Sequence, residues 1–273
     1  MLDLINFLKV LVPLAYLLAA CFYGIAFYRR GLGIVRHKTT LLVFALLVHL
    51  SLLALLTAEF KHPPITTIYE LLLTLGFTLS LAYLFIEFVT KIKNTGFIVV
   101  LISTFLVIIS VIFLKMDYGF LDVLKSAFIY LHIISALVGY SAFTLSATYG
   151  LLYLILYKKI KLKKLDFIYK NIPNLEILEF MLARSIIIGF IALTISIIIG
   201  VLYLPRAFPD SSFIDIKLLY AIIVWLTYCA GIFAKKAFGL HGRKMALASV
   251  IVLVVIFILM ALTNYFSGFH NFN

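Results

Sequence analysis

Charge is scarce in this chain. Only 12% of its residues are Asp, Glu, Lys or Arg, about half of the roughly 25% that a soluble domain spreads over its surface. With 65% hydrophobic residues there is too little polar surface to keep 273 residues in water, so a soluble globule is excluded. Cysteine is nearly absent: Cys21 and Cys229 both lie in apolar runs and form no C-x-x-C or C-x-x-C-H spacing. That excludes dithiol redox chemistry and any thiol-linked prosthetic group. Acidic residues are few, 11 against 23 Lys and Arg, for a net charge of +12. In a soluble protein this balance would suggest nucleic acid, but no patch interleaves bases with aromatics on a polar face, and no nucleic-acid partner is expected. Walker A, H-E-x-x-H and G-x-S-x-G patterns are missing, as is the Arg-rich span of a voltage sensor, which removes the enzymes and channels that depend on them.

What is present is long apolar sequence. Runs bounded by charge lie at about 5–28, 39–58, 66–89, 97–114, 130–156, 181–204, 216–238 and 245–266, each near the ~20 residues that cross a ~30 Å hydrocarbon core. The expected fold is an all-α integral membrane protein of about eight transmembrane helices, with residues 1–273 forming a single polytopic domain. The first run is too long for a signal-peptide core and lacks an A-x-A site, so it reads as a retained helix. Sixteen basic residues fall in the loops around 33, 92, 165 and 240, against Lys61, Lys115, Lys125, Arg206 and Lys217 in the alternate loops. The asymmetry predicts a cytoplasmic face for the basic loops, in contact with anionic lipid, and an outer face for both termini. The expected location is the cytoplasmic (inner) membrane. The segment from Lys161 to Phe180 alternates bases with apolar residues around Pro173, and reads either as an amphipathic piece on the inner headgroups or as a solvated connector.

Ionisable groups at membrane depth are the first candidates for function. His49 is about ten residues from both Thr39 and Glu59, which places it roughly 15 Å from either surface, beyond the reach of an imidazole to water. It is either a neutral histidine bonded to a neighbouring helix or a ligand of haem or metal. His132 opens the fifth run and His270 follows the eighth, so both are expected at the outer surface. They are either two unrelated interfacial histidines or an axial pair on one iron. Glu70 sits about one turn inside the outer boundary, where a carboxylate needs hydrogen bonds or a polar cavity. His37 and His241 lie among Arg36, Lys38 and Arg243, where contact with headgroups is expected.

The stretch from His62 through Pro63, Pro64, Thr66, Thr67, Tyr69 and Glu70 into Leu72 resembles the P-x-x-N-x-Y-E-x-L motif of the cytochrome c assembly family of CcsA, ResC and HemX type, with Thr67 in place of the usual Asn. Leu131-His132 followed by Tyr140-Ser141-Ala142 is similar to that family's L-H-x7-Y-A/S-A pattern. Gly239 to Gly242 with Arg243, then Gly268-Phe269-His270, resemble its G-x-x-G-K/R turn and terminal G-L-H-S. The likeness covers about residues 40–273, and its elements occur in the family's order.

The resemblance implies that His132 and His270 ligate haem iron at the outer face, that His49 corresponds to a transmembrane histidine associated with the haem path, and that Glu70 belongs to the outer-loop motif. The cofactor so implied is haem b, bound without covalent attachment. Two departures are of consequence. The tryptophan-rich W-G-x-x-W-x-W-D segment is replaced by Pro205 to Phe213, and the one tryptophan, Trp225, lies within the seventh run. A second transmembrane histidine expected after W-L-x-Y falls near Phe233. These losses argue against direct cytochrome c synthetase activity and place the chain nearer the HemX-like branch. The function so implied is haem handling, export or presentation for cytochrome c maturation, alongside a membrane subunit of an assembly complex. Two alternatives stand: a regulator that meets a haem-biosynthesis enzyme through the basic loop 158–170, and a small-solute transporter with Glu70 and His49 in its path.

Overall fold

The computed structural model describes residues 1–29, 37–65, 67–90, 92, 94–114, 126–164, 166–207 and 216–266, without the side chains of 168, 204–207, 216–217, 238 and 260–266. The described residues form nine helices and no strand: α1 (Leu2–Tyr28), α2 (Lys38–Phe60), α3 (Ile68–Thr90), α4 (Gly96–Phe113), α5 (Ala127–Lys161), α6 (Phe167–Asn171), α7 (Leu175–Ala207), α8 (Ile216–Phe238) and α9 (Arg243–Phe266). Seven described segments, in α1 to α5, α7 and α8, are long and apolar enough to cross a bilayer. The 24-residue α9 occupies the eighth predicted run. The chain is an all-α integral membrane protein.

Its surface has the inverse logic of a soluble domain. Large apolar side chains such as Phe85, Phe105, Ile112 and Leu202 are exposed, which in water would make association patches and in lipid is the favourable arrangement. Hydroxyls are held inside instead. Thr57, Thr78, Thr104, Thr144, Thr148 and Thr194 each donate to the carbonyl four residues back, so their polar atoms are satisfied without leaving the helix.

Two compact units emerge. The first comprises residues 1–120 with 164–173, hence α1 to α4 and α6. Its core joins Ile5, Val12 and Tyr16 of α1 to Ala45 and Leu52 of α2, Leu73 of α3 and Val107 of α4. The short α6 rests on the end of α1, where Phe167 stacks on Tyr28 at 5.5 Å between ring centroids. The second unit comprises residues 121–163 with 174–273, hence α5 and α7 to α9. In it α5 packs chiefly along α7 and also against α9.

Local signals set the ends of the long helices. The Ser126 side chain accepts from the Phe128 amide and starts α5, while Lys158, Lys159 and Lys161 sit in its last turn, where cations complement the helix dipole. Helix α7 begins at Leu175, six residues before the predicted run, because Asn174 follows Pro173 and its Oδ1 accepts from the Ile177 amide at 2.8 Å. Between α8 and α9, Gly239 and Gly242 have φ of +62° and +59°, left-handed positions that side chains with a Cβ rarely adopt. The G-x-x-G pattern read in the sequence is therefore a backbone requirement of this turn.

Candidate functional site

His132 lies in the second turn of α5. At ~1.5 Å per residue it is roughly 39 Å along the helix from Lys158, more than the thickness of the hydrocarbon core. The imidazole leans onto α7. Its Nδ1 is 2.8 Å from the backbone carbonyl oxygen of Ser196, and since a carbonyl only accepts, Nδ1 carries the proton and Nε2 keeps its lone pair. The Ser196 hydroxyl donates to the His132 carbonyl at 2.9 Å, and the Ser135 hydroxyl lies at the same distance from it. Space for the ring comes from Gly200: a Cβ there would lie 2.9 Å from His132 Cε1 and Nδ1. The side chain is half-buried, and no hydrogen bond engages Nε2 among the described residues.

This is the arrangement expected of a metal-ligating histidine, whose second nitrogen usually donates to a carbonyl or carboxylate that fixes tautomer and ring orientation. An imidazole held in this way fits an axial position on haem iron. Among the described residues no three of His, Cys, Asp or Glu converge on a common point. His270, the partner expected from the sequence, lies outside the described residues.

His49 is where the sequence reading put it, wholly buried in α2. Its Nδ1 pairs with the Tyr16 hydroxyl at 3.1 Å, and the edges of Tyr16 and Phe77 meet the ring at centroid distances of 5.5 and 5.3 Å. Nε2 is covered and has no hydrogen-bond partner. A hydroxyl can donate or accept, so this pairing does not fix the tautomer as the Ser196 carbonyl does for His132. In this conformation nothing as large as a porphyrin reaches Nε2.

Glu70 is at the head of α3, and its cost at that depth is met locally. The Thr67 amide donates to Glu70 Oε2 at 3.2 Å, and the Glu70 amide donates to Thr67 Oγ1 at 3.2 Å. This reciprocal pair is a capping box. It also accounts for Thr67 in place of Asn, since both side chains cap a helix. In the same loop His62 donates from Nδ1 to the Pro63 carbonyl at 2.9 Å and is 2% exposed.

The sequence reading passed over the most elaborate polar cluster. Glu87, near the C-terminus of α3 and 1% exposed, accepts from Tyr23 Oη at 2.8 Å, Tyr83 Oη at 2.7 Å and Thr39 Oγ1 at 2.6 Å. The buried Lys38 lays its ammonium 4.5 Å from the centre of the Tyr23 ring. Three donors from three helices turn an isolated carboxylate into a knot that ties α1, α2 and α3 together. The signal available in the sequence was a glutamate inside an apolar run with a tyrosine four residues earlier. In the second unit, His241 lies 3.3 Å from Glu179 on the side of the basic loops.

Comparison with known proteins accords with this geometry. The model of the family described as cytochrome C assembly protein matches residues 65–270, a range that takes in Glu70, His132, the Gly239–Gly242 turn and His270. The chain is 28% identical over 234 residues to the cytochrome c biogenesis protein CcsA of Guillardia theta, with 78% of each chain covered. It is 29% identical over 150 residues to the protein HemX of Bacillus subtilis (strain 168), covering 55% of this chain and 54% of that one. With the protein HemX of Brevibacillus brevis it shares 27% identity over 205 residues, 70% of this chain and 72% of the other. The family match spans most of the sequence and runs through both structural units, and the chain belongs to the cytochrome c assembly protein family.

Proposed function

We propose that this protein binds haem b without covalent attachment and handles it, by export or presentation, for cytochrome c maturation, at the end of α5 expected to face outward. The observation that carries the reading is the Nδ1 to Ser196 carbonyl bond, which leaves His132 Nε2 as a pre-oriented donor. His132 and His270 would hold the group as axial ligands. Bound there, haem would supply a redox-active iron to which both imidazoles could donate. The chain's own work is positional. Ser196 fixes the tautomer, Gly200 gives the ring room, and the tight pairing of α5 with α7 keeps both in register. The relatives named for cytochrome c biogenesis support this function, and the membrane-spanning helices suit a site in the cytoplasmic membrane.

A second reading, a membrane regulator of tetrapyrrole synthesis acting through its basic loops on a soluble enzyme, is favoured by the likeness to proteins named HemX together with the replacement of the tryptophan-rich segment by Pro205 to Phe213. One purification and one deletion strain separate the possibilities. The detergent-purified protein should show a low-spin bis-histidine spectrum, and His132→Ala and His270→Ala should each lower haem retention or produce a high-spin form that added imidazole partly reverses. A double variant with the wild-type spectrum would refute the ligand assignment. Loss of holocytochrome c in the deletion strain with haem unchanged supports haem handling; normal cytochrome c with altered precursor levels supports the regulator.

A further inference from the structure

Within the second unit a cleft of about 180 Å³ runs between α7, α8 and α9. Its lining is almost wholly apolar, with Ile186 and Ile187 from α7, Ile232 from α8, and Met245 and Val252 from α9. From Thr227 to Lys235 of α8 it extends eight residues, about 12 Å along the helix axis. Gly231 sits midway and is exposed, and a Cβ at that position would meet nothing within 4 Å. The cleft is therefore a slot in the apolar, lipid-facing surface of these helices.

Its two ends differ in charge. Lys235 lines one end, followed closely by Lys236, Arg243 and Lys244, all on the α8–α9 hairpin and on the side of the basic loops. The nearby acid Glu179 is engaged by His241 at 3.3 Å. The far end, around Ile187 and Val252, carries no charge. An apolar slot with cations at one end complements a molecule with a tail and an anionic head. Size narrows the occupant: the volume is only slightly above the ~150 Å³ of an apolar cavity that takes one benzene, which admits a length of acyl chain and not a porphyrin.

We propose that this cleft binds one anionic phospholipid of the leaflet next to the basic loops, with an acyl chain along α8 past Gly231 and the phosphate at Lys235. Basic pockets between transmembrane helices on that side select anionic headgroups. The site is separate from His132, which lies at the other end of the second unit's helices. Gly231 then serves to keep the slot open, and Lys235 to choose the headgroup.

The test is native mass spectrometry of the full chain titrated with phosphatidylglycerol or phosphatidylcholine in mixed micelles. The wild type should retain one phosphatidylglycerol with at least about fivefold preference, the factor expected from one basic residue near a phosphate. Gly231→Leu, whose Cβ would meet nothing within 4 Å, puts bulk at the middle of the slot and should abolish retention of both lipids. Lys235→Gln should keep a bound lipid and lose the preference, whereas Lys158→Gln, in the last turn of α5, should change neither. Equal retention of both lipids by the wild type, or undiminished retention by a folded Gly231→Leu, would overturn the proposal. If Gly231→Leu does not fold, a Lys235→Gln protein with unaltered preference overturns it equally. Loss of a haem band in place of a lipid from Gly231→Leu would assign the cleft to a porphyrin and refute the lipid site.

Discussion

The interior of the first unit and the α5–α7 pair of the second each hold a histidine anchored through Nδ1, and they do so to different ends. His49 meets a hydroxyl, is enclosed by Tyr16 and Phe77, and presents no atom to anything outside the helices. His132 meets a carbonyl, which commits one nitrogen and leaves the other defined as a donor of electrons, on a half-buried ring. Two buried carboxylates of the first unit are similarly committed, Glu70 to a helix cap and Glu87 to three hydroxyls. Anchoring alone therefore does not mark a ligand. What distinguishes His132 is an acceptor that fixes the tautomer combined with a ring that is not sealed in.

The comparison breaks most readily at Gly200. Gly200→Val places methyl groups where the His132 ring lies and should swing Nε2 out of position; haem retention should fall about tenfold, the loss typical when a ligand's support is disturbed, while His132 itself is intact. Unchanged haem content with an unchanged spectrum would show that ring placement does not matter. Next in size is Glu87→Gln, which leaves three donors facing an amide that itself needs acceptors. It should cost about 2 kcal/mol of stability, read as a lower unfolding temperature in detergent, with no change in the haem spectrum. A spectral change would move the first unit into the haem site.

Glu70→Ala should cost about 1 kcal/mol through the lost capping box, and Glu70→Gln should restore most of it, since an amide oxygen still accepts from Thr67. A loss of haem that Gln fails to restore would show that the carboxylate charge serves the ligand site. Smallest of all is His49→Phe. It removes the unpartnered Nε2 together with one bond to Tyr16, and these changes should offset to within about 1 kcal/mol in the unfolding temperature. The spectrum should stay the same. Disappearance of part of the haem band would reveal that His49 opens to a second site in another conformation.

Hydropathy made the helices legible, because each apolar run has to become a helix in lipid whatever it packs against. Ends were less so: α7 starts early because Asn174 caps it, a choice made by one side chain and invisible to a hydropathy window. The place of His132 near the start of α5 follows from the apolar run itself, whereas its bond to Ser196 depends on the register of α5 against α7 and cannot be counted along one helix. For Glu70 the T-x-x-E pattern is a local signal of a helix cap, which the sequence carries independently of membrane depth. Glu87 depends on Tyr23 and Thr39 from other helices, and no local spacing brings those together. His270 rests on the family pattern, as it falls outside the described residues.

The excursion of residues 164–173 into the first unit bears on assembly order. The chain leaves that unit before α5, returns for α6, and leaves again for α7. A ribosome therefore delivers α5 before Phe167, the residue that stacks on Tyr28, has been made. The first four helices must wait with that end of α1 uncovered until α5 has been made and α6 follows it. For the same reason no single cut yields both units whole: a break near residue 120 leaves α6 on the fragment that does not use it. Two such fragments made separately would have to meet through a five-residue helix before the first unit is complete.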